Sequence, residues 1–387
     1  MTTVAILVLG TADWNQQIAT NQHYVVREIA KEYPLTYVES MGLRTPELKW
    51  RDIKRIFKRV FGRGGSPDRA RRPVPSGVRV LSPRVIPKHT GIARLINKPL
   101  VERLAKDWIS SDGPRILWAY TPVTYGLERY ADQIVYHCVD LLATVEGISA
   151  SLIDDAESRL AGREVTSLGT SDEVVKHLRE VGFSTVIDWP NVADTEAVGE
   201  RAEFAPSTRK LGAVFAGNLT TQKVDFDLLG ALVKSGVDLH LAGPIAEGGG
   251  SAAAEVRELE RLGATYHGML SLGDLADLYW NASVGLIPYV LNPYTRGVNP
   301  LKTYEYLAAG MAVVSSAIPS ASPVDGHVFV AEDVDEFVAR VQGLVEPPNE
   351  AAVAARSRLA DAHSWTERGA AARHLIETCL AMSGARA

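Results

Sequence analysis

Apolar residues in the first half of the chain alternate between short continuous runs and stretches with helical spacing. The runs have the length of buried parallel strands, and the stretches between them, such as residues 19–32 and 150–161, suit amphipathic helices. The strands expected from these runs are residues 4–9, 36–39, 115–119, 134–139, 164–168 and 184–187. This βαβ rhythm predicts a doubly wound parallel sheet.

A second set of the same kind follows in the second half of the chain. Strands are expected at residues 211–216, 239–242 and 284–288, and helices at 226–235 and 272–281. At 387 residues the chain has the length of two ordinary domains. The sequence therefore predicts an α/β protein with two doubly wound domains.

The segment 299–316, NPLKTYEYLAAGMAVVSS, contains the most informative pattern. Pro300 fits the first position of a helix that follows a turn, and Gly310 fits its end. Lys302 in the first turn adds a positive charge where helical N–H groups already favour an anion. Glu305, one turn further on, is placed to accept hydrogen bonds from sugar hydroxyls. The pattern suits a nucleotide-sugar, with diphosphate at the helix start and ribose at Glu305, although an ordinary helix with solvated Lys302 and Glu305 would also produce it.

This segment resembles the donor-site helix of GT-B glycosyltransferases, especially retaining enzymes of family 4 and their teichuronic-acid and GumK-like relatives. The family helix reads roughly N-P-L-K-x-x-E-Y-L-A-x-G. The matching residues are Asn299, Pro300, Leu301, Lys302 and Glu305. The resemblance implies the GT-B fold, in which two Rossmann-like domains face a central cleft.

The resemblance also implies where the domains divide. Residues 189–194, WPNVAD, resemble the stretch that joins the two domains in these enzymes. We therefore expect an acceptor-binding domain at 1–193 and a nucleotide-sugar-binding domain at 194–363. A C-terminal helix at 364–387 is expected to cross back to the first domain.

Three further loops are implied to bind the donor. Gly217, Asn218 and Lys223 resemble a glycine loop with a downstream lysine for the diphosphate, and Gly268 with Met269 resembles a loop that reads the nucleobase. Tyr289 and Arg296 complete the predicted set. The chain departs from the family at Gly297, where many relatives have a Glu, and at Asn218, where they often have an Arg. Lys223, Gly268 and Arg296 also fit plain loop positions.

The first domain is implied to bind the acceptor. Asp140, at the end of a predicted strand, is our candidate to accept the acceptor's proton or hold the acceptor in line, with His137 as the alternative. In a strand these two side chains would point to opposite faces. A capping role for Asp140 and a core position for His137 stay open. Asp13 and Trp14, in the loop after the first strand, are candidate sugar contacts that also fit structural roles.

Charge is unevenly distributed over a chain whose net charge is −5. Residues 44–72 contain eleven Lys or Arg against three Asp or Glu, which is +8 and leaves about −13 for the rest. Residues 48–61, LKWRDIKRIFKRVF, predict a basic amphipathic helix suited to an anionic membrane surface. A helix packed on its own domain is the alternative, and the acidic remainder argues against nucleic acid.

No run of eighteen apolar residues exists, so no transmembrane helix is expected, and the N-terminal apolar segment predicts a first strand rather than a signal peptide. Two cysteines without a metal-binding pattern favour a reducing compartment. We therefore expect a cytoplasmic protein, peripheral at the inner face of the plasma membrane.

These features predict a glycosyltransferase that moves a sugar from a nucleoside-diphosphate sugar to a hydroxyl acceptor in bacterial polysaccharide or glycolipid synthesis. No cofactor and no metal are expected, since no D-x-D stands in a suitable loop and positive side chains can stabilise the leaving diphosphate. Retention of configuration is implied by the resemblance alone. Two alternatives stay open: a nucleotide-sugar epimerase on the same fold and a non-catalytic sugar-nucleotide-binding protein.

Overall fold

The computed structural model describes residues 4–16, 19–43, 72–198, 206–245 and 251–384. The chain divides into two compact units, termed unit 1 (Met1–Pro190 with Arg368–Ala387) and unit 2 (Asn191–Glu367). The boundaries expected from the sequence, 193/194 and 363/364, lie three and four residues from these. The basic helix predicted at 48–61 lies outside the described residues.

Unit 1 contains a parallel sheet that, over the described residues, has seven strands. They are β1 (Ala5–Leu9), β2 (Leu35–Val38), β3 (Val78–Leu81), β4 (Arg115–Ala119), β5 (Gln133–Cys138), β6 (Thr166–Gly169) and β7 (Thr185–Asp188). Their order is β3-β2-β1-β4-β5-β6-β7, and all neighbours are parallel. The central strands are buried almost throughout, which explains why they read as continuous apolar runs.

Helices cover this sheet. They are α1 (Asn21–Ile29), α2 (Gly91–Leu104), α3 (Lys106–Ile109), α4 (Ala150–Ala161) and α5 (Asp172–Val181), with short 3₁₀ turns at Leu127–Arg129 and Leu142–Thr144. The helix α4 has the bounds that its apolar spacing predicts, because the Ser149 hydroxyl accepts a hydrogen bond from the Leu152 N–H (3.4 Å) and caps its first turn.

Unit 2 contains a second parallel sheet, with six strands in the described part of the chain. They are β8 (Leu211–Ala216), β9 (Leu239–Ala242), β10 (Thr265–Tyr266), β11 (Ala282–Ile287), β12 (Ala312–Ser316) and β13 (Val328–Ala331). Their order is β10-β9-β8-β11-β12-β13. The order reverses between β8 and β11, as it does between β1 and β4 in unit 1.

The helices of the second half complete the fold. They are α6 (Thr195–Val198), α7 (Phe226–Lys234), α8 (Ala253–Leu262), α9 (Leu272–Asn281), α10 (Pro293–Arg296), α11 (Lys302–Ala308), α12 (Val334–Gln342), α13 (Glu350–Asp361) and α14 (Trp365–Gly384), with a 3₁₀ turn at Pro206–Thr208. The predicted class, α/β with two Rossmann-like doubly wound domains, is confirmed.

The C-terminal helix α14 packs on α1 within unit 1. The Arg373 guanidinium donates to the Glu28 backbone oxygen (3.1 Å) and forms an ion pair with the Glu32 carboxylate (2.7 Å). Gly369 faces Glu28 so closely that an added Cβ would lie 2.6 Å from the Glu28 Cβ atom. The end of the chain is therefore part of the first unit's core.

Candidate functional site

The loops that follow β8 and β11 meet at the switch point of the second sheet. The Asp225 N–H donates to the Pro288 oxygen (2.8 Å), and the Val290 N–H donates to the Lys223 oxygen (3.0 Å). The Asn292 amide adds a bond to the Gln222 oxygen (2.7 Å). Because open parallel sheets bind ligands outside the carboxyl ends of their strands at such a point, this is the expected ligand site of unit 2.

Gly243 joins the two glycine loops predicted from the sequence. The Gly243 N–H donates to the Gly268 oxygen (2.8 Å), and the Gly243 backbone oxygen accepts from the Tyr266 hydroxyl (2.7 Å). Its φ is +126°, and an added Cβ would lie 2.0 Å from the Gly217 oxygen. No other residue type fits there, so Gly243 holds the Gly217 and Gly268 loops together. Gly243 was not among the site residues predicted from the sequence. The Gly243-Pro244 pair after a predicted strand could have indicated it.

Lys223 and Tyr289 lie side by side in this region. The Lys223 Nζ atom is 4.8 Å from the centre of the Tyr289 ring, a cation–π distance. Tyr289 is buried, and its N–H donates to the Ser316 hydroxyl (2.8 Å), so the ring is firmly placed. The Tyr289 ring therefore holds the Lys223 side chain at the Gly217 loop.

Asn218 replaces the family's arginine in the glycine loop. Its Oδ1 atom is buried and has no hydrogen-bond partner among the described residues. A buried acceptor without a partner is unfavourable, so a ligand group that donates here would be stabilised. Where relatives often have a positively charged arginine, this chain therefore has a neutral side chain that can accept a hydrogen bond.

The helix α11 begins two residues later than the sequence predicts. The Thr303 N–H donates to the Pro300 oxygen (3.3 Å) in a tight turn, and Leu301, with φ −53° and ψ −31°, is the N-cap. Pro300 therefore precedes the helix instead of occupying its first position, because the chain completes a turn before it enters the helix. The Asn191 amide donates to the Asn299 oxygen (2.9 Å) and fixes this approach.

Lys302, Glu305 and Tyr279 form one hydrogen-bonded cluster on α11 and α9. The Lys302 Nζ atom lies 2.6 Å from Glu305 Oε2 and donates to the Tyr279 hydroxyl oxygen (3.2 Å). The Tyr279 hydroxyl donates to the same Oε2 atom (3.3 Å). Among the described residues, both bonds to this carboxylate reach Oε2, which leaves Oε1 for a ligand. Burial raises the pKa of Tyr279 well above its usual value, so it acts as a neutral donor.

Tyr279 was not predicted as a site residue. It lies 23 positions before Lys302 in the sequence, on a different helix, and only the packing of α9 beside α11 brings the two side chains together. No local pattern signals such a contact.

The core of unit 2 fixes α11 at several points. The Ala216 N–H donates to the Tyr306 hydroxyl oxygen (3.0 Å), and Gly285 leaves room for the Tyr306 ring, which an added Cβ would approach to 2.3 Å. Arg209 and Arg356, both buried, donate to the Ala309 oxygen (2.7 Å) and the Gly310 oxygen (3.1 Å). Cations at a helix C-terminus stabilise its dipole, so these contacts favour the observed position of α11.

Two predicted donor residues are exposed. Arg296 is the last residue of α10, whose first turn the Asn292 side chain caps, and it points into solvent. Met269 follows Gly268, and its side chain is also exposed. Both are accessible to a ligand.

In unit 1 the switch point is formed by the loops after β1 and β4. The Gln22 amide holds the first loop, since it accepts from the Thr11 N–H (2.8 Å) and donates to the Thr11 hydroxyl (2.6 Å). Asp13 is exposed on this loop. Trp14 is buried between His23 and Tyr37, each with its ring centre 5.3 Å away. Asp13, but not Trp14, is accessible to a ligand in this conformation.

His137 is enclosed by aromatic rings on β5. It stacks on Tyr120 (4.7 Å between ring centres), and the Trp118 indole N–H donates to its Nδ1 atom (3.4 Å). Burial, with a smaller effect from Arg368, lowers the pKa of His137 to about 3. The neutral ring therefore carries its proton on Nε2, which has no partner among the described residues. His137 is able to donate a hydrogen bond but not to accept a proton.

Asp140 lies two residues beyond the end of β5 at Cys138, and the residue is half-buried. Asp140 therefore lies outside the strand, and strand alternation does not fix the direction of its side chain relative to that of His137. The Cys138 thiol donates to the Asp140 backbone oxygen (3.5 Å), which turns the chain at this point.

The second half of the chain matches a known family. Residues 226–376 match the model of the family described as "Glycosyl transferase-like". TuaH of Bacillus subtilis (strain 168), which carries the name of a teichuronic acid biosynthesis glycosyltransferase, is 28% identical over 275 residues, or 64% of this chain and 67% of TuaH. The chain is a glycosyltransferase. The function class predicted from the sequence is confirmed, and neither alternative is favoured.

Solved structures establish the fold of this glycosyltransferase. Sucrose-phosphate synthase from Thermosynechococcus elongatus superposes with a TM-score of 0.71 at 14% identity over 98% of this chain and 99% of its own. HepE of Anabaena, solved in complex with UDP-glucose, superposes with a TM-score of 0.64 at 15% identity over 97% and 99%. The GT-B fold that the donor-helix resemblance implied is confirmed.

Neither a membrane-spanning helix nor a metal-binding cluster is found among the described residues. None of their helices has the length and apolarity to cross a bilayer. No group of three or more His, Cys, Asp or Glu within them is placed to hold a metal ion.

Proposed function

We propose that unit 2 of this glycosyltransferase binds a nucleoside-diphosphate sugar at the β8–β11 switch point. Glu305 accepts the ribose hydroxyls through Oε1, and Lys302 with Lys223 binds the diphosphate. The Lys302–Glu305–Tyr279 cluster carries this proposal, since it places a cation and a carboxylate one helical turn apart on a helix that is hydrogen-bonded to the core of unit 2. The UDP-glucose complex of HepE supports the donor class.

The leaving diphosphate is proposed to be stabilised without a metal ion. Lys302 and Lys223 supply positive charge at fixed positions, and such preorganised groups stabilise charge that develops in a transition state. We further propose that the anomeric configuration is retained, which rests on the resemblance of the donor helix to retaining family-4 enzymes.

Unit 1 is proposed to bind a hydroxyl acceptor, a sugar or a lipid-linked sugar of polymer or glycolipid synthesis. Asp140 is the candidate to accept the acceptor's proton or to hold the acceptor in line, because the residue lies beyond the end of β5 and is only half-buried. TuaH's name supports this substrate class. Residues 48–61, with their basic amphipathic pattern, are proposed to attract unit 1 to an anionic membrane surface.

Glu305→Ala tests the donor site. Loss of hydrogen bonds to a charged group costs about 1.5–3 kcal/mol, so the affinity for nucleoside diphosphates should fall at least about tenfold in calorimetry. Glu336→Ala, which removes the carboxylate of an exposed Arg340–Glu336 pair on α12, is the matched control and should bind normally. Unchanged affinity in a folded Glu305→Ala protein would refute the assignment of the ribose to Glu305.

A further inference from the structure

The outward face of α2 is apolar. Ile92 is 77% exposed and Leu95 71%, while Ile96 and Leu100 on the same side are 45% and 41% exposed. The opposite side of the helix contains Asn97 and Val101, which are buried against unit 1. A surface helix normally has polar residues on its solvent-facing side. The outward side of α2 is instead apolar, which marks it as a candidate interaction surface.

The orientation of α2 is fixed by a buried amide. Asn97 Oδ1 accepts from the Ile86 N–H (2.8 Å), and Asn97 Nδ2 donates to the backbone oxygens of Ile86 (2.9 Å) and Lys88 (3.1 Å). Rotating the helix to bury Ile92 and Leu95 would break all three bonds inside the unit. The apolar face therefore stays outward.

Basic residues outnumber acidic ones in and next to α2. The basic residues between positions 84 and 106 are Arg84, Lys88, Arg94, Lys98, Arg103 and Lys106, and the one acidic residue in that range is Glu102. Glu102 forms an ion pair with Arg129, so its charge does not offset the four of these residues that are exposed, which are Arg84, Lys88, Arg103 and Lys106. An apolar stripe with basic flanks is the pattern of a helix that lies in the headgroup region of an anionic bilayer.

A second copy of the chain fits this face less well. A symmetric pairing through α2 would place the same basic flanks of both copies against each other, and like charges across an interface are unfavourable. The charge pattern therefore selects an anionic lipid surface over self-association.

We propose that α2 inserts the side chains of Ile92, Leu95, Ile96 and Leu100 into the surface of an anionic membrane. The proposal deepens the membrane association proposed for residues 48–61, but it rests on different residues and a different force. Burial of apolar side chains survives high salt, whereas attraction through basic residues is screened. The two contributions are therefore separable by ionic strength.

Vesicle co-sedimentation of the full chain tests the proposal, with vesicles of phosphatidylcholine alone or mixed with phosphatidylglycerol. The variant Ile92→Gln/Leu95→Gln/Ile96→Gln should lower partitioning to the mixed vesicles at least about tenfold, and the binding that remains at high salt should disappear. The matched control changes exposed apolar residues of unit 2, Leu272→Gln/Leu291→Gln/Val334→Gln, and should bind within twofold of the wild type.

Variants that remove positive charge separate the contributions of the two basic regions, the one near α2 and the one at residues 48–61, to vesicle binding. Lys88→Gln/Arg103→Gln/Lys106→Gln, at three exposed positions, should lose the preference for phosphatidylglycerol at low salt. Lys54→Glu/Arg55→Glu/Lys58→Glu/Arg59→Glu should weaken binding at low salt and leave the salt-resistant part in place. Nucleotide affinity should be unchanged in every variant, so a failure here is distinguishable from a failure of the donor site.

Three outcomes would overturn the proposal. One is equal vesicle binding by the α2 variant and its unit 2 control. Another is a wild-type dimer in sedimentation equilibrium that the α2 variant abolishes, together with no vesicle binding. The third is a large fall in the melting temperature of the α2 variant without vesicle binding by the wild type, which would mean that another part of the chain covers this face.

Discussion

His137 and Asp140 are three residues apart, yet their surroundings give them different chemistry. The indole N–H of Trp118 occupies Nδ1 of His137, and burial keeps the ring neutral, so no nitrogen is available to take a proton. Asp140 lies past the end of the strand and is only half-buried. Of the two candidates in this segment, Asp140 is therefore the one that we propose as the base.

Asp140→Asn should therefore reduce turnover by about 10²-fold or more, since a positioned general base typically contributes 10²–10⁴. Nucleotide affinity should stay within twofold, because the residue is proposed to act on the acceptor. Steady-state kinetics and calorimetry measure the two effects. Asp155→Asn, an exposed aspartate on α4 of the same unit, is the control.

Near wild-type turnover in a folded Asp140→Asn protein would move the role to Asp13, the exposed carboxylate in the loop after β1. His137 would not inherit it, because its ring stays neutral and its Nδ1 atom is occupied by the Trp118 indole. A loss of nucleotide affinity equal to the loss of turnover would instead indicate a structural role for Asp140.

Residues on one helix were the easiest to place from sequence. Lys302 and Glu305 are three positions apart, and that spacing puts both side chains on one side of a helix, where they form an ion pair. Tyr279 and Gly243 reach the same region through packing between elements, which no local pattern encodes. Sequence reasoning left open whether Trp14 and His137 are buried, because accessibility depends on neighbours such as Tyr37 and Tyr120.

Among the elements, α11 depends on one close approach to the sheet. Tyr306 packs on β11 where Gly285 has no side chain, and its hydroxyl oxygen accepts from the Ala216 N–H at the end of β8. The helix that carries Lys302 and Glu305 is thereby tied to the strand that leads into the glycine loop.

Gly285→Ala should displace the Tyr306 ring and shift α11, since the new Cβ would lie 2.3 Å from ring atoms. Overpacking of this kind costs about 1–3 kcal/mol of stability, and we expect nucleotide affinity to fall with it. Thermal unfolding with and without nucleoside diphosphate measures both. Gly230→Ala in α7 is the control, because its new Cβ would make only ordinary contacts at 3.9 Å.

A Gly285→Ala protein with wild-type stability would show that Tyr306 adapts at no cost. Wild-type nucleotide affinity in a destabilised Gly285→Ala protein would show that α11 keeps its place, which would separate the packing of Tyr306 from the donor site.

Elements whose apolar residues follow one period were predicted within a few residues of their observed bounds. Elements whose apolar residues lie on more than one side were not predicted. Strands such as β4, β8 and β9 have the predicted bounds because both faces are buried and the apolar run is continuous. No helix was predicted at α2, whose apolar residues occupy both the buried and the outward side and which contains Pro99. The outward residues that obscure the helical period are the same ones that we assign to the membrane surface.

At the scale of the whole molecule, each unit has its own sheet and its own switch point, and the last helix belongs to the first unit. Glu28 on α1 is buried against α14, where Arg373 pairs with it and Gly369 lets the helices approach. A chain of two Rossmann-like halves thus completes its N-terminal half with its C-terminal residues.

Gly369→Ala should weaken the packing of α14 on α1 and leave unit 2 unchanged. The new Cβ would lie 2.6 Å from the Glu28 side chain, so overpacking of about 1–3 kcal/mol outweighs the roughly 1 kcal/mol that alanine contributes to helix propensity. Hydrogen exchange should therefore quicken at α1 and α14 and stay unchanged in unit 2, whereas Gly230→Ala should slow exchange in α7 alone. Equal or slower exchange at α1 and α14 in Gly369→Ala would mean that the contact tolerates a side chain and that Arg373, rather than close packing, holds α14 in unit 1.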